Sequence, residues 1–112
     1  MDDNAVSLTG TLAEIETLRH TPAGLPILQF KLAHKSLQVE AGFKRQVECA
    51  VACVAMGDAA TRLSRMRAGA ELKVSGFLNR KNRMSTQLVL HATTTEILRE
   101  HDHGNDEQGR PG

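Results

Sequence analysis

The sequence predicts an all-β fold, a five-stranded Greek-key OB-fold barrel with one short helix between the third and fourth strands. Three observations predict it. Five apolar segments spread over residues 4–99 alternate with the period of two that belongs to strands. The first segment slips phase partway, as a strand does when it curls around a small barrel. The period changes to three-to-four once, over residues 57–69, and that change falls between the third and fourth strands.

In the first strand Val6, Leu8, Gly10 and Leu12 share one face, and Ser7, Thr9 and Thr11 the other. Leu12 and Ile15 are three apart, so a bulge near Ala13 has to absorb the slip, and Gly10 marks a point where the strand can curl. The stretch "TPAGLP" that follows is turn chemistry. In the second strand Leu28, Phe30, Leu32 and His34 face one way, and Gln29, Lys31, Ala33 and Lys35 the other. A bend over residues 38–43 leads into the third strand, with Val47, Cys49, Val51 and Cys53 on its apolar side. Residues 57–69 set Ala59, Leu63 and Met66 at helical spacing, with Asp58 as N-cap and Gly69 where the helix stops. The fourth strand is "AELKVSGFL", the cationic loop "NRKNRMST" follows, and "QLVLHATTTEIL" is the last strand. Residues 1–99 therefore make one OB-fold domain. Residues 100–112 are polar, acidic and unpatterned, and are expected to be a disordered tail.

With no Trp, no Tyr and three Phe, the core has to be aliphatic. Cys49 and Cys53 lie four apart in a strand, about 13 Å, too far for a disulfide, and are read as buried core thiols. No stretch approaches the ~20 apolar residues of a membrane span, and the acidic N-terminal residues resemble no secretory signal, so no membrane association and a cytoplasmic location are expected. The net charge of +1 conceals an asymmetry. Residues 4–99 carry 13 Lys and Arg against 7 Asp and Glu, while both ends are acidic. A basic body suits a polyanionic partner.

The OB-fold binds ligands with its sheet face and with the loops joining strands one to two and four to five. Arg80, Lys81 and Arg83, in the second of those loops, are the densest positive charge, placed where they can track a phosphate backbone. Lys35 on one side of the bend and Lys44 and Arg45 on the other, together with Arg19, offer a stripe of cations. Successive strand residues point to opposite faces, so Lys44 and Arg45 line one groove only if the backbone bulges. Phe43 beside Gly42 is the best stacking ring, Phe77 falls on a binding face or a dimer face, and Phe30 belongs to the core. His20, His34 and His91 read as structural, and the pair His101 and His103 as a weak surface ligand set at most. No Gly-rich phosphate loop, nucleophile elbow or converging carboxylate pair is present, so no cofactor, no metal and no enzymatic activity are expected.

The strings "LAHKSLQVEAGFKRQ", "TPAGLPILQFKL", "VSGFL" and "LVLHA" resemble the primosomal replication protein N (PriB) family, dimeric relatives of bacterial single-stranded DNA-binding protein. The resemblance runs over roughly residues 5–98. It implies a homodimeric, non-catalytic protein that binds single-stranded DNA and assists the PriA helicase, with other primosome proteins, in replication restart at stalled forks. It also exposes a departure: Glu48 stands where a family member carries a third-strand tryptophan, and a carboxylate neither stacks nor attracts phosphate. Binding is therefore expected to be mostly electrostatic and steeply salt-dependent. An RNA-binding OB module, or a protein-protein adaptor whose basic loop docks an acidic partner, fits the same residues.

Overall fold

The computed structural model describes residues 2–100, so the predicted tail beyond Glu100 and the His101/His103 pair lie outside the described residues. Six strands and one helix follow in the order β1 (Val6–Ile15), β2 (Arg19–His20), β3 (Pro26–Glu40), β4 (Phe43–Met56), α1 (Asp58–Leu63), β5 (Glu71–Arg80) and β6 (Leu88–Arg99). The two-residue β2, which pairs with the start of β3, is additional to the five strands expected. The strand order is β1-β5-β6-β4-β3-β2, and a further pairing of β1 with β3 closes the five long strands into a ring. Neighbouring strands are antiparallel except along the seam between β4 and β6, where Cys53, Val54 and Ala55 run parallel to Leu90, His91 and Ala92.

β1 closes the ring by changing partners. Its first part, residues 6–11, pairs with β5, and its second part, from Thr11 on, pairs with β3. The predicted bulge sits between Leu12 and Glu14, leaving Ala13 without a partner on β3. At Gly10 a Cβ would lie 2.5 Å from the carbonyl oxygen of Ala33, so only hydrogen fits where the curled strand crosses β3. Asn4 extends the β1–β5 ladder with its side chain: its amide donates to the Leu78 carbonyl at 2.8 Å, and its oxygen accepts from the Leu78 N–H at 2.9 Å.

The core is aliphatic apart from Phe30. Leu12, Leu28, Phe30, Leu32, Leu72, Val74 and Leu90 fill the barrel, and Ala60 and Leu63 of α1 plug one end with no exposure to solvent. Each fully buried leucine contributes about 1.5–3 kcal/mol through apolar burial. The helix is shorter than residues 57–69, and its N-cap is Gly57, which makes no side-chain cap. Asp58 is instead the first helical residue, where its charge favours the helix dipole. Beyond Leu63 the chain continues as irregular turns. Gly69 N–H donates to Leu12 O at 2.7 Å and Leu12 N–H to Ala70 O at 2.8 Å, and these bonds pull the segment away from the helix axis toward β1.

β3 and β4 form one long hairpin. The bend placed over residues 38–43 is a two-residue turn, because β3 runs to Glu40 and β4 starts at Phe43. Ala41 (φ 53°) and Gly42 (φ 82°) both adopt left-handed backbone, the pattern of a type I′ hairpin turn. The hairpin leaves the barrel near His34 and Cys49, and beyond them it is an arm exposed on both faces. Cys49 is accordingly exposed, contrary to its expected burial, whereas Cys53 is buried. Burial pushes the Cys53 thiol up to about 12, so it remains protonated at neutral pH. Among the described residues no helix is long and apolar enough to cross a membrane.

Candidate nucleic-acid interface

The inner face of the β3–β4 hairpin carries Leu28, Phe30, Leu32 and His34 against Ala55, Cys53, Val51 and Cys49. The register therefore sends the alternate residues of both strands outward. On that outer face Ile27 pairs with Arg19 on one side and Met56 on the other, Lys31 with Ala52, Lys35 with Glu48, and Val39 with Lys44. Four cations thus stand at the levels of β3 residues 27, 31, 35 and 39, one every four residues or about 13 Å. Lys31 is the link that makes the predicted stripe continuous. It was legible in the sequence, because it shares Lys35's side of the strand alternation.

Arg45 does not join that line. It pairs with Gln38, and Phe43 with Glu40, so both belong to the opposite face of the arm. Phe43 is 69% exposed at the arm's tip, as its place beside Gly42 predicts. Two arm cations already have partners: Lys35 Nζ lies 3.7 Å from Glu48 Oε2, and Arg45 Nε lies 3.4 Å from Glu40 Oε1. Glu48 therefore occupies the line as the counter-charge of Lys35. Both pairs are well exposed and worth little to stability. Their effect is on local charge. Arg19 donates to Gln29 Oε1 at 3.5 Å and lies 3.8 Å from Glu16.

The loop between β5 and β6 is built differently. Arg80 is the last residue of β5, so the loop proper is shorter than "NRKNRMST". Its own polar groups shape it: Lys81 N–H donates to Gln87 O, Met84 N–H to Asn82 Oδ1 and Gln87 N–H to Ser85 Oγ, at 2.8, 2.9 and 3.0 Å. Arg80, Lys81 and Arg83 are left exposed, and no carboxylate among the described residues pairs with them. Lys81 and Gln87 close one side of a groove of about 250 Å³ over Phe30 and Cys53. Lys31 and Gln29 line it from β3, and Glu14 and Glu16 edge it on the β1 side. The loop and the hairpin line therefore meet at this groove, with the two carboxylates bounding the strip of positive charge.

Phe77 also lies on the outer face, stacked on His91 of β6 with ring centroids 4.9 Å apart and planes 7° from parallel. His91 was expected to be purely structural, and its pairing with a ring on the candidate face was missed. The bulge between Ser75 and Gly76 sets the register that brings them together. At that bulge a Cβ on Gly76 would overlap the His91 carbonyl, so no larger residue fits. His34 behaves as expected: it is buried, with Nδ1 2.6 Å from Thr9 O and Nε2 2.8 Å from Ser36 Oγ. His20 is exposed in β2.

Residues 4–94 match the family described as "another single-strand binding protein family". The chain is 41% identical over 95 residues to the replication restart protein PriB of Nitrosomonas europaea, covering 85% of this chain and 88% of that one. It is 42% identical over 88 residues to PriB of Bordetella pertussis, covering 79% and 82%. In three dimensions it is similar to PriB of Ralstonia solanacearum, with a TM-score of 0.80 at 36% identity over 87% of this chain and 99% of that one. It is also similar to the single-stranded DNA binding protein of Thermus aquaticus, with a TM-score of 0.68 at 28% identity over 85% of this chain and 50% of that one.

Proposed function

Because the chain belongs to the single-strand binding protein family and, within it, to the replication restart proteins PriB, we propose that it is a non-catalytic single-stranded DNA-binding accessory protein of the primosome. It acts in the cytoplasm as a homodimer and assists the PriA helicase, with other primosome proteins, at stalled forks. One observation carries the reading of DNA contact. A line of cations at regular spacing, Arg19, Lys31, Lys35 and Lys44, meets the β5–β6 loop at a groove lined by Lys31 and Lys81, and Arg80, Lys81 and Arg83 of that loop have no carboxylate partner among the described residues. Such an arrangement neutralises phosphates along a strand and releases their counterions without reading sequence. Phe43 at the arm's tip and Phe77 on the sheet add rings on which bases stack. For the dimer, the supporting observation is that residues 6–8 of β1 pair only with β5, which leaves their other edge available to a second copy.

The test is fluorescence anisotropy of a labelled dT oligomer at several salt concentrations, with sedimentation of the protein alone. Binding that weakens linearly in log affinity against log salt, by a dimer, supports the reading. No binding at low salt removes the nucleic-acid function and leaves a protein-protein adaptor. Tighter binding to an RNA oligomer of the same length makes RNA the ligand.

A further inference from the structure

We propose that the depression beside the Phe77–His91 stack is a subsite for one nucleobase, and that His91 is part of it. The proposal rests on the single-stranded DNA reading above and deepens it, from an exposed ring at Phe77 to a bounded subsite that includes His91. The depression has a volume of about 300 Å³ and is lined by Val54, Met56, Phe77, His91, Ala92 and Thr93. None of these is a lysine, arginine or carboxylate, and this sets it apart from the cationic groove alongside. Its floor is aliphatic, and Met56 (45% exposed) and Phe77 (38% exposed) leave apolar surface open to water where the sheet face crosses the barrel. The two rings stack on each other, and a base placed on an outer face of the pair extends that stack.

The surroundings specify what the flat ligand is attached to. Gln29, Val54, His91 and Phe77 follow one another across β3, β4, β6 and β5 in continuous register. Met56 lies in register with Ile27 and Arg19 on one side of that row, and Lys31 and Lys81 lie on the other. A neutral planar cleft between cations on both sides is complementary to a nucleotide, with the base in the cleft and its flanking phosphates on Arg19 and on Lys31 with Lys81. The imidazole nitrogens supply polar contacts at the edge of a base. The Thr93 hydroxyl donates to Ser75 O at 3.2 Å and can accept from a base amino group.

The experiment compares a dT oligomer with an abasic oligomer of the same length by anisotropy, for wild type, Phe77→Leu, His91→Ala and His91→Phe. Wild type should bind the dT oligomer more tightly than the abasic one. Phe77→Leu and His91→Ala should narrow that gap about tenfold, with the salt slope and the abasic affinity unchanged, because stacking releases no counterions. His91→Phe, which keeps a planar ring, should retain most of the gap. The His91 ring protons should shift on titration with dT but not with the abasic oligomer. A gap unaltered by Phe77→Leu and His91→Ala overturns the subsite while leaving the DNA reading standing. Variants that change the sedimentation of the protein instead of its dT preference assign the face to a second copy of the chain. If wild type binds neither oligomer, the functional reading falls and the subsite with it.

Discussion

The hairpin arm and the β5–β6 loop are both rich in cations, but their charges are in different states. On the arm, Lys35 faces Glu48 and Arg45 faces Glu40. On the loop, Arg80, Lys81 and Arg83 face solvent, held in place by hydrogen bonds made by the backbone and by Asn82 and Ser85. A cation already beside a carboxylate gives up that attraction to take a phosphate, whereas an unpaired one only exchanges water and counterions. Counting Lys and Arg overstates the arm. The loop sets the electrostatics of binding, and the arm supplies reach and a ring.

The largest effect should come from removing the loop's charges. Arg80/Lys81/Arg83→Ala should weaken dT binding by about tenfold or more and lower the log–log salt slope by about 2, at ~0.7 per lost single-strand contact. An unchanged slope would reverse the ranking of loop over arm. Phe43→Leu should cost about tenfold in affinity with the slope intact, since it removes stacking alone. A slope change there would mean that the ring positions cations. Glu48→Gln frees Lys35 and should tighten binding a few-fold at low salt while raising the slope by up to about 0.7. No gain would show that the DNA path passes clear of the arm's outer face. The smallest effect should come from iodoacetamide. Cys49 should be alkylated and buried Cys53 spared, as mass spectrometry would read, with dT affinity changed less than twofold because Cys49 lies on the face opposite Lys35 and about 20 Å along β4 from Phe43.

The two halves of the β3–β4 hairpin show what could be read from the sequence. Where a core lies on one side, from Leu28 to His34, apolar and polar residues alternate, and the strand and its inward residues were legible. Past His34 both faces meet water, so Leu37 and Val39 can be exposed and alternation carries no information. The bend was therefore drawn too wide and Cys49 was placed inside. Gly42 signalled a turn, but Ala41 in left-handed backbone did not, since alanine seldom adopts it. The helix was overextended because its stop depends on bonds to Leu12, almost sixty residues earlier in the chain. Among the site residues, the loop cations were evident from composition alone. The Phe77–His91 pair was not, because it depends on a bulge that appears only when β5 and β6 are aligned.

β1 has a consequence for solubility as well as shape. The hairpins β3–β4 and β5–β6 are each built from neighbouring segments, and β1 is the strand that bonds to both, to β5 up to Thr11 and to β3 from Thr11 on. If β1 frays, the flanks of β3 and β5 become unpaired rows of N–H and C=O groups, templates for strands from other molecules. Resistance to aggregation therefore depends on the clasp formed by this one strand, with Asn4 locking its outer end and Gly10 allowing its close crossing over β3.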